Sequence, residues 1–154
     1  DVRSMRYPGL ITAAADPADG TTEYSEWIFY DAIKNGKYEC FLKEDARLPM
    51  MYMPDAIRAT MELMEADAEK LSVRTSYNIT ALSFTPAELA QEITKLMPDF
   101  KITYKPDQRQ QIAESWPKSI DDSTARQDWG WQEKYRLPEM TKDMLKKVRI
   151  KLGK

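Results

Sequence analysis

Arg47-Leu48-Pro49-Met50-Met51-Tyr52-Met53-Pro54-Asp55-Ala56-Ile57-Arg58-Ala59 reads as a short apolar strand that turns directly into a helix. Met50 to Met53 is an apolar run too short for a helix, and Pro49 and Pro54 bracket it. Pro54 lacks the N–H that a strand ladder needs, yet suits the first turn of a helix, where that donor has no partner anyway. Asp55 places a carboxylate where the helix N-terminus favours negative charge. Ile57, Thr60, Met61 and Met64 then recur at helical spacing. A strand running into a helix N-terminus is where α/β folds put ligands, so this junction is a first candidate site.

Upstream, Val2–Tyr7 reads as a strand closed by Pro8-Gly9, with Leu10 and Ile11 still extended. Ala13 to Gly20 is a loop of small residues with Pro17. Thr21 or Thr22 can cap the next helix, whose apolar face is Tyr24, Trp27, Ile28 and Phe29 and whose end is Asn35-Gly36. Tyr38–Leu42 reads as a strand and Glu44-Asp45 as a polar turn.

Downstream, the helix from Pro54 runs to about Ala66, and Val73–Ile79 is a strand. Thr85-Pro86-Ala87-Glu88 is a capping box with proline at the first helical position. Leu89, Ile93 and Met97 line one face of that helix, and Phe100, Ile102 and Tyr104 alternate as in a half-buried strand. Gln108–Trp116, Ser123–Trp129 (capped by Ser123, ended by Gly130) and Pro138–Leu152 read as helices. Strands alternating with helices argue α/β architecture. Several strands are short and isolated, as at the edge of a larger sheet carrying a small α/β lobe.

The 154 residues suffice for one domain. With 42% hydrophobic and 31% charged residues the balance is that of a soluble globular protein. A net charge of −2 gives no field that draws nucleic acid or acidic lipid, and no apolar run is long enough for a helix to cross a membrane. Cys40 is the single cysteine, which excludes an internal disulfide. Histidine is absent, which removes Ser-His-Asp and Cys-His catalysis and most zinc sites. Acid–base chemistry would fall to carboxylates, Lys, Tyr or Cys40. The chain opens at Asp1, already inside a strand pattern, so the expectation is a piece of a longer protein.

Tyr30 and Lys34 match Tyr-x-x-x-Lys, a spacing that lets an ammonium lower a phenol's pKa on one helix face. Packing explains them as well: Tyr30 adjoins the apolar face, and a cation is favoured at a helix C-terminus. Gly9 removes a side chain just after a strand, letting a flat ligand approach the backbone, although Pro-Gly is more often only a turn. Thr21, Thr22 and Glu23 offer two hydroxyls and a carboxylate at a helix start, able to hold a small polar substrate, with Glu23 facing an ammonium. Asp121-Asp122 reads as turn and cap chemistry before metal binding, and the tryptophans as packing anchors. The lysines from Lys142 onward read as a solvated face.

In order along the chain, Arg6-Tyr7-Pro8-Gly9-Leu10-Ile11, Gly20-Thr21-Thr22-Glu23-Tyr24, Leu48-Pro49-Met50-Met51-Tyr52-Met53-Pro54-Asp55-Ala56, Ser83-Phe84-Thr85-Pro86, Trp116-Pro117 with Asp121-Asp122-Ser123, and Trp129-Gly130-Trp131 resemble the C-terminal half of the short-chain type of L-threonine 3-dehydrogenase, among the extended short-chain dehydrogenases. The resemblance spans about residues 1 to 146 and implies the end of a Rossmann sheet plus a small substrate lobe. It implies NAD as cofactor, with Pro8, Gly9 and Leu10 against its nicotinamide end. It implies L-threonine as substrate, with Thr21, Thr22 and Glu23 on the substrate side. It implies an absent N-terminal NAD-binding half, carrying the Gly-rich loop and the catalytic Tyr-x-x-x-Lys upstream of Asp1. A homodimer when complete, in the cytoplasm or the mitochondrial matrix, follows from the same source. Glu23 stands where the family usually has Asp, and the Ala13–Asp19 loop lacks the family's glycine-rich run.

On this reading no catalytic residue lies in the chain, and Tyr30 and Lys34 are not promoted to that role. Threonine carries no phosphate for the Pro54-Asp55 helix start to hold. The Arg47–Ala59 stretch then becomes an apolar seam that docks the small lobe on the Rossmann domain. The rival enzyme is a nucleotide-sugar epimerase or dehydratase of the same superfamily, to which Arg47, Arg58 and Arg74 could contribute. The remaining rival is an inactive truncated form.

Overall fold

The computed structural model describes residues 1–154. Strand β4, Leu48–Tyr52, is its central strand, and all five of its residues are buried. A strand covered on both faces reads as a continuous apolar run, which is what Leu48 to Tyr52 supplies. Before it come β1 (Met5–Arg6), β2 (Gly9–Ile11), a 3-10 turn (Thr21–Glu23), α1 (Tyr24–Asn35) and β3 (Lys37–Cys40). After it come α2 (Met53–Glu65), a second 3-10 turn (Ala68–Lys70), β5 (Tyr77–Asn78), β6 (Leu82–Phe84), α3 (Pro86–Leu96) and β7 (Lys101–Tyr104). The chain closes with α4 (Arg109–Ser115), α5 (Ser123–Trp129) and α6 (Leu137–Lys151).

Strand β4 pairs with β2 in parallel, Gly9 opposite Met50 and Ile11 opposite Tyr52. On its other edge it pairs with β6 antiparallel, Leu48 opposite Phe84. Two further parallel pairs, β1 with β5 and β3 with β7, stand apart from this sheet. Alternation along β4 divides the core. Leu48, Met50 and Tyr52 face a large cluster with α1, α3 and α6, while Met51 faces a smaller one with Ala56, Ala59, Leu63 and Trp131.

The α/β reading holds, and three local expectations are corrected. The strands expected at Val2–Tyr7 and Val73–Ile79 shorten to two residues each, paired only with one another. Neither Thr21 nor Thr22 caps α1: they form the 3-10 turn, and α1 begins after Glu23 with no side-chain cap. Ser123 lies inside α5 rather than capping it. Asp122 is the cap residue, and Asp121 Oδ1 accepts the Ser123 N–H at 2.9 Å. On α2 the stripe Ile57, Met61 and Met64 faces outward, 59%, 49% and 64% exposed, while Ala56, Ala59 and Leu63 pack inward. The capping box of α3 is present, with Thr85 Oγ1 accepting the Glu88 N–H and Glu88 Oε2 accepting the Thr85 N–H.

Candidate functional site

The junction at Pro54-Asp55 is closed to a ligand anion. Asp55 is 1% exposed. Its carboxylate accepts the backbone N–H groups of Lys134 and Tyr135 at 3.0–3.1 Å and pairs with Arg58 at 2.9 Å. The negative charge that suits a helix N-terminus serves here to tie the chain ahead of α6 onto α2.

The structure brings two other segments together. The backbone at Gly9, opposite Met50 in the β2–β4 pair, runs close under the 3-10 turn. A Cβ built on Gly9 would lie 2.6 Å from Met50 Sδ and 2.8 Å from Thr22 Cγ2, so glycine is required by packing at this point. Gly9 is buried, whereas Pro8 and Leu10 on either side are partly exposed. The two threonines diverge. Thr22 is partly exposed and touches the Gly9 position, while the buried Thr21 lines a cleft of about 620 Å³ with Asp19, Asp107, Gln108 and Arg109.

Glu23 folds back, its Oε2 accepting the Ala18 N–H at 3.2 Å. Behind it lies Glu26, 4% exposed, which the residue pattern did not single out. Its Oε1 accepts the Thr12 N–H at 2.6 Å, joining the residue after β2 to α1. Burial pushes the Glu26 carboxyl up to about 7. The Thr12 N–H opposes that rise, and the neighbouring Glu23 carboxyl adds to it. A glutamate in the first turn of a helix is ordinary dipole chemistry, so nothing in the sequence marks it as buried.

Tyr30 and Lys34 take the packing role. Tyr30 is buried, its hydroxyl donates to Ala15 O at 3.3 Å, and the Lys34 ammonium lies 5.6 Å from its ring centre. Asp122 pairs with Arg126 at 2.8 Å, and no group of three or more His, Cys, Asp or Glu side chains is placed to hold a metal ion. Trp131 is fully buried, its Nε1 donating to Thr80 O at 3.0 Å, and Trp129 meets Tyr77 edge-on at 4.5 Å. No helix is long and apolar enough to cross a membrane.

This α/β arrangement matches solved structures of GalE-like L-threonine dehydrogenases. A GalE-like L-threonine dehydrogenase from Cupriavidus necator, solved in a holo form, superposes with a TM-score of 0.93 at 60% identity over 96% of this chain and 48% of its own. In sequence the chain is homologous to L-threonine 3-dehydrogenases: it is 58% identical to the mitochondrial enzyme of Sus scrofa over 146 residues, 94% of this chain and 39% of that protein. It is also 45% identical to an uncharacterized epimerase/dehydratase of Staphylococcus haemolyticus over 152 residues, 98% of this chain and 48% of that protein. The chain thus spans about two fifths to one half of the proteins it matches. No family model matches it.

Proposed function

We propose that this chain is the C-terminal, substrate-side portion of an enzyme that oxidises L-threonine to 2-amino-3-ketobutyrate with NAD. The observation that carries the reading is the approach of Gly9 to Thr22, which sets the segment expected against the cofactor beside the segment expected against the substrate. Pro8 and Leu10 present partly exposed apolar edges around a backbone without a side chain, which fits the flat nicotinamide end of NAD. Nothing in the sequence fits the pyrophosphate, so the rest of that site belongs to the N-terminal half proposed to complete the enzyme. NAD, when bound, supplies the hydride acceptor.

Within the chain the work is positioning. Thr22, rather than Thr21, faces the Gly9 side and offers a hydroxyl to threonine's polar groups. Glu23 offers a negative charge to the ammonium, and Pro8–Leu10 close one wall against water. The exposed stripe on α2 supports the domain assignment, being an apolar face that a neighbouring domain would cover.

The experiment is Thr22→Ala in the complete enzyme, the chain joined to its NAD-binding half. A rise in threonine KM or a fall in turnover of about tenfold or more is expected, while Thr21→Ala changes kinetics far less. Equal kinetics for Thr22→Ala and the parent would remove Thr22 from the site. The epimerase/dehydratase name among the relatives supports a second reading, and turnover of L-threonine against a nucleotide sugar separates the two. Calorimetric titration of the chain alone with NAD should show weak binding or none. Tight binding there would contradict the division of the site between two halves.

A further inference from the structure

Strand β7 has an open edge. Its single strand neighbour is β3. The Lys101 N–H bonds Gly36 O at 3.1 Å and the Lys105 N–H bonds Cys40 O at 2.8 Å, so the odd-numbered residues turn their backbone groups toward β3. In a parallel ladder the residues between them direct N–H and C=O to the other side, so Ile102 and Tyr104 hold theirs outward. Beside that edge runs a groove of about 480 Å³ between α3 and β7. Ala87, Ala90, Gln91 and Thr94 of α3 form one wall, and the half-buried Ile102 and Tyr104 form the other. Glu44 stands where α3 begins, its carbonyl accepting the Ala87 N–H, and Lys95 stands where α3 finishes. No residue of β3 or α1 lines the groove, which places it on the open side of β7.

We propose that the β7 edge is a docking site for an extended, acidic segment of a partner protein, added to the sheet as a strand with its apolar side chains in the α3–β7 groove. The exposed face of the strand selects this occupant. Lys101, Thr103 and Lys105 alternate along it, all three exposed. Neither ammonium has a carboxylate within ion-pair distance. A second copy of β7 added antiparallel would set one copy's Lys101 beside the other's Lys105, like charge against like, so the edge is guarded against itself. A carboxylate in the same position pairs instead. Side chains alternate along a strand, so the matching segment carries two acids four residues apart with an apolar residue just inside each. Main-chain bonds to Ile102 and Tyr104 supply affinity, and the alternate side chains supply specificity. The edge is separate from the seam proposed for the NAD-binding half. Ala90, Ile102 and Tyr104 belong with the large core cluster, whereas Met5 of β1 and the inner residues of α2 belong with the smaller one.

The test uses the ¹⁵N-labelled chain and a terminally blocked peptide, Gly-Glu-Val-Thr-Val-Glu-Gly, with Gly-Lys-Val-Thr-Val-Lys-Gly as its control. The acidic peptide should shift the amides of β7 and of the groove side of α3, with a dissociation constant of about 1 mM or tighter. At about ten times that concentration, hydrogen exchange at the Ile102 and Tyr104 amides should slow about tenfold, because those N–H groups become strand bonds. The lysine peptide should leave them unmoved. Lys101→Glu combined with Lys105→Glu, both at exposed positions, should exchange the two preferences. In the chain joined to its NAD-binding half, the acidic peptide should protect the same amides. Equal binding of the two peptides, shifts centred on the exposed α2 face, or no shift at several millimolar peptide overturns the proposal. Concentration-dependent protection of Ile102 and Tyr104 without peptide overturns it in favour of a second copy. Protection of those amides in the joined chain before any peptide is added overturns it in favour of the NAD-binding half.

Discussion

Burying Glu26 lowers the stability of the folded chain wherever that carboxyl is ionised. Its folded-state pKa lies above its unfolded value, between an ordinary 4.5 and about 7, so across that window the folded chain holds more protons than the unfolded one. Stability therefore falls as pH rises through the window, and the loss is complete above it. Glu26→Gln keeps the acceptor for Thr12 and removes the charge. We expect it to match the parent near pH 4.5 and to exceed it at pH 8 by on the order of 1 kcal/mol in urea unfolding. That is less than the full shift would give, because the Thr12 bond loses its charge assistance. Equal stability of variant and parent at pH 8 would mean that the carboxyl is not penalised by burial. Asp55 shows the opposite treatment of a buried charge: two backbone N–H groups and Arg58 surround it. Its place at a helix start was legible in the sequence. Its partners were not, because Lys134 and Tyr135 are far along the chain and their N–H groups carry no sequence signal.

At the level of elements, legibility follows whether the signal is local. The α3 start was readable because Thr85, Pro86 and Glu88 satisfy one another within a single turn. The ends of α1 and α5 were readable because Gly36 and Gly130 take the left-handed conformation, φ 66° and 76°. The hydroxyl caps at Thr21, Thr22 and Ser123 failed for the converse reason. A cap residue needs extended backbone, and a 3-10 turn or a helix-interior position denies it. Thr85→Ala should therefore cost about 1 kcal/mol of stability, whereas Ser123→Ala should stay within roughly 0.5 kcal/mol of the parent. Denaturant midpoints of the two variants decide it, and equal losses would mean that hydroxyls rather than cap geometry carry the effect. The short strands failed differently. Val2–Tyr7 and Val73–Ile79 have strand composition, but a strand's length is set by its partners, and here each has only the other.

For the whole molecule, helix α2 carries Ile57, Met61 and Met64 on the side away from its own core. Ala56, Ala59 and Leu63 fill the small inner space that β4 and Trp131 leave, and Ile57, Met61 and Met64 stand in water. Periodicity locates an apolar face, but it cannot say whether the chain itself or something else covers that face. Beside it, Tyr7 reaches Thr60 across the surface, so the outward face of α2 and the exit of β1 form one region. Strand β1 has one neighbour, β5, leaving its second edge open, and parallel sheets are normally buried on both faces. An open parallel edge beside an apolar helix face is the arrangement expected where a larger parallel sheet and its helices continue, which fits the proposed Rossmann half. Met61→Lys separates that role from a core role. In the 154-residue chain it should leave the unfolding free energy within about 0.5 kcal/mol of the parent and reduce self-association in sedimentation, because the side chain is already half in water. In the chain joined to its NAD-binding half, the same substitution places a charge in a buried seam. There it should destabilise by about 1–3 kcal/mol, read from the shift in denaturant midpoint between joined parent and joined variant. An equal loss in both settings would make Met61 a core residue and leave the α2 face without a partner to explain it.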